Sequence, residues 1–207
     1  MANVGLKFGL KPINGFGGTT ADGVNQYFIA SDASAIYQGS PVVVELTGGT
    51  IAIGSASGDT KQYLGVFAGC EYVDNTSKKL KFSNYWPGSG SADTNHDIKG
   101  FVYDNPMQRY IIASDGSNTN KATARADIFQ VCDLANGAAG STTTGISTAQ
   151  IDISEVSTGD ASNALMILGI HDDPTNADHS AAGVSYIVKI NNHIFFSSSG
   201  DADAAIS

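Results

Sequence analysis

The sequence predicts an all-β protein, a sandwich or barrel of short antiparallel strands with an extended N-terminal arm and few short helices. Three observations carry this. Apolar runs of strand length recur about every ten residues, and glycine pairs or Asp/Asn/Ser clusters end nearly every one. Glycine is abundant, 24 of 207 residues, while charged residues make up only 15%. Helical periodicity is thin, and regular strand spacing with frequent turns is the signature of sandwiches and barrels. A chain of this length buries roughly 70% of its unfolded surface, so its core needs neither metal nor disulfide.

Taken in order, residues 1–23 form the arm. Gly5, Gly9, Gly15, Gly17, Gly18 and Gly23, with Pro12, bar a regular helix. Val4, Leu6, Phe8, Leu10 and Ile13 alternate as in an extended strand. Two placements fit: addition to a neighbour's sheet edge, with Phe8 and Leu10 in pockets, or the first strand of the chain's own sheet. A β-rich body follows over residues 24–197. Its strand candidates are 26–30, 41–46, 50–54, 62–68, 80–86, 99–103, 109–113, 128–132, 150–153, 165–170 and 184–196. Gly48-Gly49 between VVVEL and TIAIG predicts a two-residue hairpin turn. Lys121–Asp127 and Thr148–Ile151 are the helical candidates, one or two turns each. A surface excursion is expected near 115–148, where residues 137–147 form a polar loop. The acidic tail, 198–207, is expected to lack structure. One internal echo, Gln26–Ser34 against Arg109–Ser117, pairs two alternating strands that each end in an Asp-led turn.

Eleven basic against twenty acidic residues leave a formal charge of −9, which repels nucleic-acid phosphates and anionic lipid. The local exception is Lys78, Lys79 and Lys81. Because Lys79 and Lys81 alternate with Leu80 and Phe82, the segment reads as a half-buried strand with a solvated lysine face. The first residues lack a basic region followed by about 7 to 15 apolar residues, the mark of a secretory leader. No run reaches the roughly 18 apolar residues of a membrane span. Synthesis and folding in the cytosol are therefore expected, with Cys70 and Cys132 as buried free thiols.

The chain carries no phosphate-cradling G-x-x-x-x-G-K-[ST], no G-x-S-x-G and no H-E-x-x-H. No catalytic residue, cofactor or C-x-x-C metal site is assigned. The nearest approach to a site is His171, Asp172, Asp173, Asp178 and His179, since carboxylate and imidazole both ligate divalent cations. The same residues build an ordinary turn between strands, because such side chains cap their own backbone, and that is the reading taken. Asp93, His96 and Asp97 follow a Gly/Ser run that reads as a mobile loop. Tyr85 and Trp86 would be the platform of a carbohydrate site if they were exposed, although core packing is the commoner fate of strand aromatics.

Several segments taken together resemble the capsid decoration, or cement, proteins of tailed bacteriophages. They are FGLKPI (Phe8–Ile13), QYFIASDASAIYQGSPV (Gln26–Val42), GVFAGCEYVD (Gly65–Asp74), FSNYWPG (Phe82–Gly88), DNP (Asp104–Pro106), STTTGIS (Ser141–Ser147), LMILGI (Leu165–Ile170) and VKINNH (Val188–His193). Together they span nearly the whole chain, in the expected order. The resemblance implies a virion structural protein without catalytic residues, sited on the capsid surface. It would bind the major capsid protein as a homotrimer and stabilise the shell. It also implies capsid contact through the arm, with Phe8, Leu10 and Pro12 as the apolar grip and Lys7 and Lys11 pairing acidic residues. The polar stretch at 89–97 and the tail after Phe196 depart from the pattern and leave room for a receptor or glycan contact. A phage tail or fibre component and a carbohydrate-binding adhesin are the alternatives.

Overall fold

The computed structural model describes residues 3, 7–15, 23–55, 62–118, 120–158 and 163–195. Val4, Leu6, the glycines at 5, 17 and 18, and the tail from 196 lie outside these residues. In chain order the strands are β1 (Lys11–Ile13), β2 (Asn25–Ile29), β3 (Pro41–Glu45), β4 (Thr50–Ile53), β5 (Tyr63–Val73), β6 (Leu80–Ser83) and β7 (Ile98–Tyr103). After β8 (Arg109–Ala113) comes one short helix, α1 (Lys121–Ala126). The chain then forms β9 (Val131–Cys132), β10 (Leu134–Ala135), β11 (Gln150–Ile151), β12 (Leu165–Ile170) and β13 (Ser185–Ile190). The all-β expectation holds.

The first half closes into a small barrel. Strands run in the order β3-β4-β2-β7-β5, and β5 pairs back onto β3. Closure removes the sheet edges that unpaired strands would expose. Ile29, Val42, Ile51, Leu64, Phe67, Cys70, Ile98 and Val102 fill the interior, and Ile36 and Trp86 join the same core. The β3–β4 hairpin forms at Gly48-Gly49, but its loop is the four residues 46–49 and only Gly49 takes a positive φ, +63°.

The second half is an antiparallel sheet in the order β1-β8-β13-β12-β9, with a β10–β11 pair beside it. Tyr110, Ile112, Leu165, Ile167, Tyr186 and Val188 form its core. Val43, Tyr63 and Val66 of the barrel wall belong to this second core, while Val42, Leu64 and Phe67 of the same two strands face the first. The β3–β5 wall therefore serves both cores. That is why the first five residues of β5 are all buried, as expected of a strand covered on both faces.

The arm takes its own-sheet placement. Lys11–Ile13 pairs antiparallel with β8, Lys11 opposite Ile111 and Ile13 opposite Arg109. Pro12, which cannot donate to a ladder, sits on this edge strand, where proline is tolerated. Leu10 is 1% exposed, packs in the second core, and donates its N–H to Gly39 O at 2.9 Å. Gly9 has φ +66°, and a Cβ there would lie 2.6 Å from Gly39 O; only glycine lets the arm approach so closely. Asn3 anchors further back, donating to Asp178 O at 2.6 Å and accepting from Asp178 N at 3.2 Å.

Other expectations are corrected. Asn120 caps α1 by accepting from Ala122 N and Thr123 N, as the helix at Lys121 requires, whereas Gln150–Ile151 is strand, not helix. Residues 137–147 do not stand apart as an excursion. Gln38 N donates to Gly145 O, Ser147 N donates to Gln38 O, and Asn84 Nδ2 donates to Thr144 O, all at 2.9 Å. The echoing segments also differ in place: β2 lies inside the barrel sheet, β8 in the other sheet.

Candidate functional site

Residues 171–184 join the adjacent strands β12 and β13 of the second sheet, which is the turn reading of the His/Asp cluster. Asp173 Oδ1 accepts from Thr175 N (2.8 Å) and Oγ1 (2.6 Å), and Asp178 Oδ1 accepts from Ser180 N (3.1 Å) and Oγ (2.7 Å). These bonds hold both carboxyls below the usual carboxylate range. Asn176 closes the loop, donating to His171 O (2.8 Å) and Ser185 O (2.9 Å) and accepting from Ser185 N (2.8 Å). His171, Asp172, Asp173, Asp178 and His179 line an open groove of about 910 Å³, but Lys121 and Arg125 line it too. Lys121 and Arg125 add positive charge to the same groove, which weakens its attraction for a metal ion. Among the described residues no three His, Cys, Asp or Glu side chains are grouped to hold one.

The stretch at 89–97 is pinned rather than loose. Asp93 N donates to Val73 O (2.8 Å), Asn75 N donates to Ser91 O (2.9 Å), and Ala92 bridges Asp74. The Asp93 carboxyl accepts from Asn95 N (2.9 Å) and pairs with Lys78 Nζ (2.9 Å). These partners, the Asn95 amide foremost, hold its pKa down at about 2. His96 Nδ1 stands 4.0 Å from Asp93, beyond hydrogen-bond reach.

Trp86 cannot be a sugar platform. It is fully buried, edge-on to Tyr72 at 5.3 Å, and donates Nε1–H to Ala33 O at 3.2 Å. Tyr85 stacks on Tyr37 at 5.9 Å. The two cysteines lie in different cores, and burial pushes each thiol up to about 12, so they are protonated and inert as nucleophiles.

Of the arm residues proposed for contact, Lys7 and Lys11 are exposed and Phe8 and Pro12 half-buried, while Leu10 is committed to the chain's own core. Phe8, Lys11 and Pro12 line a hollow of about 260 Å³ with Gln38, Phe67 and Ile146.

A surface feature that the sequence did not reveal lies on the barrel. β5 is eleven residues long; one edge pairs first with β3, closing the barrel, and further along with β6. β6 lies outside the closure, so the face expected to be buried is exposed: Leu80 at 58% and Phe82 at 68%. Cross-strand register runs Phe28–Lys99–Glu71–Phe82 over the outer surface. Lys99 Nζ pairs with Glu71 Oε1 at 3.3 Å between the two rings, and Phe28 is 47% exposed. Beside Phe82 is a hollow of about 430 Å³ lined by Val24, Gly69, Phe101 and Tyr103. Such clusters of exposed apolar side chains mark interaction surfaces. Alternation alone reports a half-buried strand and cannot tell that no layer covers it.

No protein-family model, curated protein or solved structure matches the chain. No helix among the described residues is long and apolar enough to cross a membrane.

Proposed function

We propose that this chain is a virion structural protein of the capsid-decoration class, acting by binding alone. In this reading it sits on the outer surface of a phage shell against the major capsid protein, assembles as a homotrimer and stiffens the particle. The observation that carries the reading is the ordered run of decoration-like segments from Phe8 to His193. The apolar surface around Phe28, Leu80 and Phe82 is the kind of feature a binding protein needs, and Asp173 and Asp178 of the His/Asp loop are engaged in turn hydrogen bonds. Lys7, Phe8, Lys11 and Pro12 are the arm residues available to a shell; exposed lysine pairs there would contribute less than about 1 kcal/mol each.

The test is imaging and mass-spectrometric quantification of intact virions from the native host. Density on the outer capsid surface, with copies approaching those of the major capsid protein, is the expected result. Tens of copies located at the tail would transfer the chain to the tail-component reading, and absence from virions would end both. Sedimentation of the purified chain at three times 21.4 kDa would support the trimer.

A further inference from the structure

From the free edge of β6 we infer a strand-addition site that takes an extended segment of a partner protein alternating acidic and apolar residues. β6 is paired on one side only, to β5, and no described strand covers its other side. The hydrogen-bonding phase follows from the turn. Asp74 N donates to Lys79 O at 2.9 Å, so pairs 74–79, 72–81 and 70–83 are the hydrogen-bonded ones, and the intervening pairs 73–80 and 71–82 are not. The backbone N–H and C=O of Leu80 and Phe82 therefore point away from β5. The same two residues carry the exposed apolar side chains on the barrel's outer surface. An added strand would thus find main-chain partners and apolar contact at one place.

Charge selects the occupant. In a chain of net charge −9, Lys79 and Lys81 project from this strand on the face opposite Leu80 and Phe82, with Lys81 Nζ 5.7 Å from the Tyr72 ring centre. A second copy pairing antiparallel about Lys81 would set Lys81 directly against its own image, which is unfavourable. Edge lysines of this kind discourage self-pairing. A partner strand with carboxylates opposite Lys79 and Lys81 and apolar residues opposite Leu80 and Phe82 meets both demands. The inference holds whether or not the partner is a capsid subunit.

The probe is a fluorescently labelled peptide, Thr-Glu-Val-Glu-Val-Thr, followed by polarisation against the full chain, with Thr-Lys-Val-Lys-Val-Thr as its counterpart. The acidic peptide should bind at least about tenfold tighter than the basic one. Leu80→Pro deletes one outward N–H while sparing the β5 ladder, and should abolish binding. Lys81→Glu alone leaves one charge of each sign and should erase the preference, and Lys79→Glu combined with Lys81→Glu should reverse it, so that the basic peptide becomes the better ligand. That reversal cannot come from misfolding and stays informative if the proline variant does not fold. Equal binding of both peptides to the wild-type chain, or a preference unmoved by the double substitution, overturns the inference. Concentration-dependent dimerisation that Leu80→Pro removes would also overturn it, by assigning the edge to a second copy.

Discussion

Trp86 shows how one side chain can unite segments distant in sequence. Its backbone exchanges both hydrogen bonds with Ile36, at 2.8 and 3.0 Å, while its ring meets Tyr72 and its indole N–H reaches Ala33. Truncation leaves a large void in the barrel core that the closed sheet cannot collapse into. Trp86→Ala should therefore destabilise the protein by about 3–5 kcal/mol, read as a shift in the urea midpoint. A glycan platform would predict the reverse pattern, lost binding at unchanged stability. Core packing of Trp86 was legible in the sequence, but the expected strand to residue 86 ends at Ser83 and Trp86 lies beyond it in an isolated bridge; two neighbouring aromatics do not reveal which one turns inward. Burial here depends on the Ile36 bridge, a contact 50 residues away in the chain.

Among the elements, strand positions were legible because alternation and glycine punctuation are local signals: β2, β3, β4, β7, β8 and β12 fall within a residue or so of the predicted segments. What was not legible is non-local. Nothing near Leu80 announces that β6 lies beyond the barrel closure, and nothing near Leu10 says which sheet the arm joins. The arm's placement has a direct consequence. Leu10 packs in the second core, Lys11–Ile13 completes the edge of its sheet, and Arg109 donates to Asn14 O at 2.8 Å and Gly15 O at 3.1 Å. Leu10→Ala should destabilise by about 2–5 kcal/mol. Deleting residues 1–13 should lower the thermal midpoint and disturb near-ultraviolet circular dichroism. An arm serving only a partner would leave both unchanged, so the deletion separates the two roles without any shell present.

At the scale of the molecule, the two cores share the β3–β5 wall and should unfold together. Cys70 reports one core and Cys132 the other; both thiols should resist a thiol reagent and become reactive at the same denaturant concentration. His193 ties the halves again. It bridges Tyr63 at the start of β5, Tyr63 N donates to Asn192 O and Ile194 N to Tyr63 O, each at 2.9 Å, and His193 Nδ1 accepts from Phe195 N at 3.1 Å. His193 is 1% exposed. Burial lowers its pKa to about 4, against the opposing pull of the Asp104 carboxylate. Nδ1 is already an acceptor, so a proton arriving there must displace the Phe195 bond. With the folded pKa below the unfolded value of about 6.5, the unfolded chain binds the extra proton first. Stability is complete above pH 6.5 and falls as the pH drops toward 4, by about 3 kcal/mol over the window. Below that, protonation of Asp93, held at about 2, adds a second loss between the ordinary aspartate range and its depressed value. Urea titrations from pH 7 to 4 should show the first decline in the wild-type protein. His193→Gln, which keeps a neutral acceptor for Phe195 N, should flatten it; an unchanged slope in that variant would move the acid sensitivity to another group.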